Sequence, residues 1–171
     1  LALTADNGNA GGSDGRIYCQ QYRTATNGLP VLDRWYSIGR HFNSDPAAVS
    51  RATDRYDVVA INDDGDVQRI KYIEGDWSDP SVIRGGHPTG GIKQDEEGNY
   101  IGPAIASRGV NLLDVFVVRS DGRLAVSTLS DNNWGQWRTL GTGYDVTAQP
   151  AAVALSDVEV QLAINESNLY L

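Results

Sequence analysis

A segment of about two dozen residues occurs twice in the sequence and returns a third time in part. The stretch that begins at Pro46 in one copy begins at Pro103 in the next, and the aspartates, turn glycines and tryptophans that follow keep the same offset of 57 positions. A third copy opens at Pro150, 47 positions after Pro103. Periods of this length indicate stacked repeats, and repeats made of short strands are typical of a β-propeller or a related array.

The best-preserved copy, residues 103–141, reads as four short strands. Apolar and β-branched residues alternate between turns that contain Gly, Asp and Asn, which predicts strands at 103–108, 113–119, 123–128 and 134–140. The second of these is apolar on both faces, as expected for a strand in the middle of a blade. The sequence therefore predicts an all-β propeller of four-stranded antiparallel blades, with a repeat of about 47 residues.

The rest of the chain follows the same plan with additions and losses. We assign residues 1–42 to a partial blade, 43–99 to a blade with an inserted loop at 85–98, 100–147 to a complete blade, and 148–171 to a second partial blade. The inserted loop contains many glycines and charges, which predicts a surface location. We expect a second, shorter loop at 24–30 within the first partial blade.

The two partial blades do not add up to one closing blade. The first offers strands two to four of the blade plan and the last offers strands one to three, two more than a single blade needs. Exposed sheet edges promote association. We therefore expect either a ring completed by self-association or by a companion chain, or a chain that is a fragment of a longer array.

Net charge, apolar run length and cysteine content exclude nucleic-acid partners, membrane insertion and an intrachain disulfide, respectively. The 171 residues carry a formal net charge of −8, whereas nucleic acids and anionic membranes attract basic surfaces, so we expect neither as a partner. The longest apolar runs fall short of the roughly 20 residues that span a bilayer, and we expect no membrane insertion. Cys19 is the only cysteine, which excludes an intrachain disulfide, and its predicted strand makes it a small buried side chain.

The copy at 103–141 carries a specific set of motifs. They are Ser107-Arg108-Gly109, Leu113-Asp114-Val115-Phe116-Val117, Ser120-Asp121-Gly122 and Trp134-Gly135-Gln136-Trp137. Together they resemble the blade of the PLL-like lectin propellers, bacterial and fungal repeat proteins that bind fucose and related sugars. The resemblance covers 46–77 well and 16–39 and 150–171 loosely. It implies a propeller whose ligand sites lie in the crevices between neighbouring blades.

Sugar binding needs an aromatic surface for the face of the ring and a few fixed hydrogen-bonding groups for its hydroxyls. The side chains that could supply the aromatic surface are Trp134, Trp137, Trp77, Trp35 and Tyr36. Those that could supply hydrogen bonds are Arg51, Arg108, Asn111 and Gln136. Only 103–141 keeps both tryptophans of the motif, which predicts a small number of competent sites.

Each group of candidates also has a structural interpretation. The tryptophans could pack between blades as part of the core. Arg51 and Arg108 could form inter-blade ion pairs with Asp57 or Asp114, which recur in step with them. The sequence leaves both interpretations open.

Metal and catalytic sites are disfavoured. The acidic stretch 62–66 has the carboxylates that calcium needs, but no bidentate glutamate follows and the same place in the other copies holds an ordinary hairpin turn. Most carboxylates fall in turns, where they do not form the facing pair of a glycosidase. The two histidines, His41 and His87, lie in predicted loops without a nucleophile motif. We expect no metal, no cofactor and no enzymatic activity.

These observations favour a non-catalytic, carbohydrate-binding β-propeller, secreted or extracellular, that recognises neutral sugars such as fucose on glycans or glycoproteins. Two alternatives remain open at this point. The chain could be a protein-interaction or structural propeller without sugar binding, or it could be a fragment of a propeller enzyme.

Overall fold

A computed structural model describes residues 2–6, 15–142 and 144–166 of the chain. No helix occurs in these residues. The strands up to the end of the first full copy are β1 (Ala2–Asp6), β2 (Arg16–Gln20), β3 (Tyr22–Thr24), β4 (Pro30–Leu32), β5 (Tyr36–Gly39), β6 (Ala47–Ala52), β7 (Arg55–Ile61), β8 (Val67–Ile73), β9 (Asp76–Trp77) and β10 (Ser81–Val82). The strands that follow are β11 (Ala104–Gly109), β12 (Leu112–Val118), β13 (Leu124–Ser130), β14 (Asn133–Trp134), β15 (Arg138–Leu140), β16 (Ala151–Ala154) and β17 (Val160–Ala163).

The strands form four successive antiparallel sheets and one separate hairpin, β3 with β4. The first has the order β1-β2-β5, and the second has the order β10-β8-β7-β6 with β9 also paired to β8. The third has the order β11-β12-β13-β14 with β15 also paired to β13, and the fourth is the pair β16-β17. The first strands of successive sheets lie side by side, β6 against β11 and β11 against β16. The sheets are therefore arranged as neighbouring blades, and the all-β prediction is confirmed.

Apolar residues on both faces of the middle strands hold the sheets together. On β7, Val59 and Ile61 pack into a cluster shared with the third sheet, whereas Val58 and Ala60 pack into a cluster shared with the first. On β12, Val115 joins the former cluster, and its neighbours on the opposite face pack toward the fourth sheet. Because neighbours along each strand face opposite sides, every middle strand contributes to two interfaces.

The outermost strand of each full sheet differs from the prediction. In place of one strand at 134–140, β14 and β15 pair separately with β13. Between them, the Gly135 N–H donates to the Thr128 carbonyl at 2.8 Å and the Ser127 hydroxyl donates to the Gly135 carbonyl at 2.9 Å, which takes the chain out of the ladder. The second sheet is interrupted in the same way between β9 and β10, near Pro80, which has no N–H to donate.

Both predicted loops contain more structure than the sequence indicates. The shorter loop at 24–30 lies inside an additional hairpin, β3 with β4. The insertion at 85–98 is only partly a surface loop, because Ile92 is buried in the core between the second and third sheets and pairs with Arg119. The third strand expected in the last partial blade falls mostly in 167–171, outside the described residues.

The hairpin turn between β12 and β13 depends on Gly122. This residue has a φ of 77°, in the left-handed region, and a Cβ there would overlap the Asp145 carboxylate. Asp145 cannot easily withdraw, because Lys93 Nζ pairs with its Oδ1 at 2.6 Å and also donates to the Val146 carbonyl at 3.0 Å. Gly28 has almost the same φ, 79°, but a Cβ there would meet nothing within 4 Å.

We expect Gly122→Ala to destabilise the protein more than Gly28→Ala. Both substitutions bear the cost of a left-handed alanine, about 1–2 kcal/mol. Only Gly122→Ala adds overpacking against the fixed Asp145, which costs about a further 1–3 kcal/mol. Urea unfolding of the two variants and the wild type measures the difference in free energy of unfolding, and equal losses would contradict this account of the turn.

Candidate functional site

Arg51 and Arg108 lie at β-bulges, which turn their side chains out of the strand ladder. The register of β6 with β7 shifts between Ser50 and Ala52, and that of β11 with β12 shifts between Ser107 and Gly109. A bulge leaves one residue without a ladder partner and changes the direction of its side chain. In each sheet the arginine at the bulge is thereby directed at an aspartate of the next strand.

The arginine of each bulge forms an ion pair within its own sheet. Arg51 Nε pairs with Asp57, and the side chains are only 5% and 0% exposed. Arg108 donates from Nε to Asp114 Oδ2 at 2.5 Å and from Nη2 to Oδ1 at 3.1 Å. This hydrogen bonding raises the pKa of the Arg108 guanidinium. The ion pair was one of two interpretations that the sequence left open for these arginines, and it forms within a sheet and not between blades.

The same arginines reach the next sheet through a main-chain carbonyl. Arg51 Nη1 donates to the Val110 carbonyl at 2.6 Å, and Arg108 Nη1 donates to the Asp157 carbonyl at 3.2 Å. Val110 and Asp157 occupy the same turn in successive copies, between the first and second strands. Each arginine therefore connects a carboxylate of its own sheet to the backbone of the following one.

A second arginine enters the crevice between the second and third sheets. Arg69 Nε on β8 donates to Asp57 Oδ1 at 2.5 Å, so one fully buried carboxylate serves two guanidinium groups. The Arg69 guanidinium carbon also lies 5.8 Å from the ring centroid of Trp134, a cation–π contact from the neighbouring sheet. Desolvation lowers the pKa of Arg69, against the opposing effect of Asp57. The third sheet has Thr128 in a related role, with its hydroxyl donating to Asp114 at 2.6 Å.

Trp134, Gln136 and Trp137 lie together in an open concavity, here called the Trp groove, with a volume of about 540 Å³. Trp134 and Trp137 are half-buried, since both also pack against the core between the second and third sheets, whereas Gln136 is exposed. The full lining of the Trp groove is Thr128, Ser130, Asn133, Trp134, Gly135, Gln136, Trp137 and Arg138. The two tryptophans therefore combine the packing role and the surface role that the sequence left open.

Trp77 and Tyr36 lie in a different place, a narrow cleft between the first and second sheets. Trp77 Nε1 donates to the Tyr36 hydroxyl at 3.1 Å. This feature, here called the Tyr cleft, is lined by Gln21, Tyr22, Tyr36, Tyr56, Tyr72 and Trp77. The other two predicted candidates are not part of either site: Trp35 is 47% exposed and Asn111 is an exposed turn residue, and neither lines the Trp groove or the Tyr cleft.

Sequence reasoning missed Arg69 and Arg138, and the tyrosines of the Tyr cleft other than Tyr36. One signal was available for the tyrosines, because Tyr56 and Tyr72 occupy positions that hold Leu113 and Leu129, both buried, in the next copy. A change from leucine to tyrosine at a core position of a repeat indicates a local opening. The same signal was available for Arg69, which occupies the position of the buried Val126 in the next copy.

The acidic stretch 62–66 forms a hairpin turn. The Gly65 N–H donates to the Asn62 carbonyl at 3.0 Å, and the Asp66 N–H donates to the Asn62 side chain at 2.7 Å. Across 2–6, 15–142 and 144–166, no three His, Cys, Asp or Glu side chains are placed to hold a metal ion. Nor does that part of the chain contain a helix long and apolar enough to cross a bilayer.

We expect Asp57→Asn to lower the free energy of unfolding by about 3–5 kcal/mol, because it leaves two buried guanidinium groups without a counter-charge. Asp63→Asn is the matched control, since Asp63 is exposed and its contact with His41 is 3.8 Å long. An exposed contact of this kind contributes about 1 kcal/mol at most. Denaturant unfolding of both variants measures the losses, and similar small losses would show that the buried carboxylate does not stabilise the crevice.

Comparison with known proteins agrees with the arrangement of the sheets. Neither a protein-family model nor a curated protein sequence matches the chain. Among solved structures, the chain is similar to a fucose-specific lectin from Aleuria aurantia in a mercury-derivative form, with a TM-score of 0.64 at 12% sequence identity. The match covers 91% of this chain and 46% of the lectin chain, so this chain spans about half the lectin's length. At this identity the likeness shows the fold alone: the predicted β-propeller architecture is confirmed, and membership of the PLL-like family stays a prediction.

Proposed function

We propose that the protein is a non-catalytic, lectin-like propeller that binds neutral sugars, such as fucose on glycans or glycoproteins, in the Trp groove. One observation carries the proposal. Two indole rings, those of Trp134 and Trp137, line the same open concavity as the exposed amide of Gln136 and the exposed guanidinium of Arg138.

The chemistry of the Trp groove suits a sugar ring. Indole faces take the apolar C–H side of a pyranose, and the polar neighbours can bond its hydroxyls. Gln136 offers both a donor and an acceptor, whereas Arg138 offers donors in a fixed plane. The volume of about 540 Å³ lies in the range of small-molecule sites, roughly 300–1,000 Å³.

The position of the Trp groove also fits binding between blades. Trp137 packs against the core that the second and third sheets share, and its Cδ1 would lie 3.9 Å from a Cβ at Gly85 of the second sheet's insertion. The similar solved structure is a fucose-specific lectin. The residues that line the Trp groove belong to the third sheet, so these observations support a ligand site beside an inter-blade crevice of a lectin-like propeller.

The carboxylates near the crevices are not placed for hydrolysis. Asp57 and Asp114 are buried in ion pairs with arginines. Among the described residues that line the Trp groove there is no Asp or Glu. A glycosidase needs two carboxylates that flank the scissile bond. The proposal therefore includes binding without catalysis, with weak individual sites that gain strength by avidity on multivalent glycans, in a secreted or extracellular setting.

We expect the protein to bind a narrow class of neutral glycans on an array, and Gln136→Ala to weaken that binding at least about tenfold, or about 1.4 kcal/mol. Gln136 is exposed, so its loss should leave the fold intact. Trp137→Ala should abolish binding, and isothermal titration with the best sugar measures each affinity.

Trp35→Ala is the matched control for Trp137→Ala, because Trp35 is also a tryptophan but lies in neither site. It should leave the affinity unchanged. A blank array from folded protein would overturn the proposal, and equal losses in Trp35→Ala and Trp137→Ala would place the sugar outside the Trp groove.

A protein-interaction role is the second candidate, and one observation favours it. One face of the fourth sheet packs on the third through side chains such as Ala152 and Leu162. The other face carries Val153, which is 54% exposed, and Leu155 beside it is 55% exposed. An apolar sheet face of this kind fits a further sheet, supplied by a second copy or a companion chain.

If a second copy covers this face, sedimentation should give a mass above the 18.5 kDa of one chain, rising with concentration. Val153→Glu should then shift the protein toward the monomer, because the charge would be buried in the contact. Val158→Glu is the control: the same exchange in the exposed turn between β16 and β17 should change nothing. A folded monomer at every concentration would remove self-association from consideration.

A further inference from the structure

The Tyr cleft is a second concave site, distinct from the Trp groove. Five of its six lining residues are aromatic, and they come from the first sheet, the β3-β4 hairpin and the second sheet. Gln21 follows β2, Tyr22 begins β3 and Tyr36 begins β5. From the second sheet, Tyr56, Tyr72 and Trp77 lie on three neighbouring strands, β7, β8 and β9.

The rings of the second sheet form one continuous aromatic wall. The Tyr56 and Tyr72 ring centroids are 5.3 Å apart at an interplanar angle of 34°, and those of Tyr72 and Trp77 are 5.1 Å apart at 57°. Two further rings complete the lining: Tyr22 of the β3-β4 hairpin is 55% exposed, and Tyr36 of the first sheet is 38% exposed. Aromatic rings from the first sheet, the hairpin and the second sheet therefore line one void.

Two polar side-chain groups of the Tyr cleft are hydrogen-bonded to each other. The Tyr36 hydroxyl accepts from Trp77 Nε1 at 3.1 Å and from Cys19 Sγ at 3.6 Å. Burial raises the pKa of the Tyr36 hydroxyl and of the Cys19 thiol, so both stay neutral at physiological pH. A sugar requires several convergent hydrogen-bonding groups, and here Gln21 and the remaining tyrosine hydroxyls are the only side chains that could supply them.

Size separates the two sites further. The free volume of the Tyr cleft is about 40 Å³, against about 540 Å³ for the Trp groove. The Tyr cleft is therefore the more restricted of the two sites. It favours a ligand that enters through a compact head group over one that inserts a whole sugar ring.

The charge of the Tyr cleft and of the whole chain favours a cationic head group. Of the described side chains, no Lys, Arg or His lines the Tyr cleft, and the whole chain has a formal net charge of −8. Aromatic faces carry negative quadrupole potential and attract a cation by about 0.5–1 kcal/mol in exposed sites and about 2 kcal/mol or more in desolvated ones. A methylated ammonium ion gains this attraction, and its methyl groups bury apolar surface in the same contact.

We propose that the Tyr cleft binds a methylated ammonium head group. The positive charge lies against the rings of Tyr72 and Trp77, and the more exposed ring of Tyr22 covers it from the β3-β4 hairpin. This inference does not rest on sugar binding in the Trp groove, because the two sites share no residue.

The test compares choline chloride with 3,3-dimethylbutan-1-ol, a neutral molecule of nearly the same shape, by isothermal titration at constant ionic strength. We expect choline to bind at least about tenfold more tightly, since only choline gains the cation–π attraction. Tetramethylammonium should behave like choline. Equal affinity for choline and the alcohol, or no binding of choline at all, would overturn the proposal.

Variants assign the binding to the Tyr cleft. Tyr22→Leu removes an exposed ring without opening the core and should weaken choline binding several-fold, whereas Tyr18→Leu, on the preceding strand β2 but outside the Tyr cleft, should not. Tyr36→Phe keeps the ring and should retain binding. Competition between choline and a neutral sugar would instead make the Tyr cleft a sugar site and would contradict the proposal.

Gln136→Ala separates this proposal from the lectin function. The substitution should leave choline affinity unchanged whatever it does to glycan binding, because Gln136 lines only the Trp groove. A blank glycan array together with choline binding would refute the lectin function alone. Glycan binding without choline binding would refute the methylammonium site alone.

Discussion

The middle strands of this protein are apolar on both sides, and this constraint governs the rest of the structure. A strand such as β7 or β12 cannot leave either face in water, so each full sheet needs a neighbour on both sides. Stability then arises between sheets, as in other repeat folds, and not within any one of them. The crevices where the sheets meet are consequently the places where polar and aromatic side chains acquire special surroundings.

The three crevices have the same backbone plan and different chemistry. At one equivalent position of the third strand, the first sheet has Cys19, the second has Arg69 and the third has Val126, each opposite the outer strand. Cys19 leaves space beside Tyr36 and the Tyr cleft, whereas Arg69 fills its crevice and joins the buried ion pair of Asp57. One position thus helps to decide whether a crevice is open or closed.

Much of the architecture could be predicted from the sequence, because its causes are local. Alternation and turn residues located β12 and β13 to within one or two residues, and the repeat offset associated Arg51 with Asp57 and Arg108 with Asp114. The interruption of the outer strand in the third sheet could not be predicted. It depends on a hydroxyl of one strand, Ser127, reaching the backbone of another.

Of the two candidate sites, the Trp groove could be predicted from the sequence and the Tyr cleft could not. Trp134, Gln136 and Trp137 are neighbours in sequence and remain neighbours in the Trp groove. The Tyr cleft brings together residues from different sheets, separated by as many as 56 positions between Gln21 and Trp77. Its existence depends on how two sheets meet, which the pattern of a single strand does not contain. The burial of Ile92 within an insertion has the same origin.

The link from each bulge arginine to the following sheet ends on a peptide carbonyl, at Val110 in one case and Asp157 in the other. Every residue type has a main-chain carbonyl, so the side chain of the receiving turn can change without loss of this hydrogen bond. A duplicated copy that keeps its bulge arginine can therefore form the same contact with any following copy. This offers a physical route by which repeats of this kind diverge in sequence, and in the chemistry of their crevices, while the packing of successive sheets stays the same.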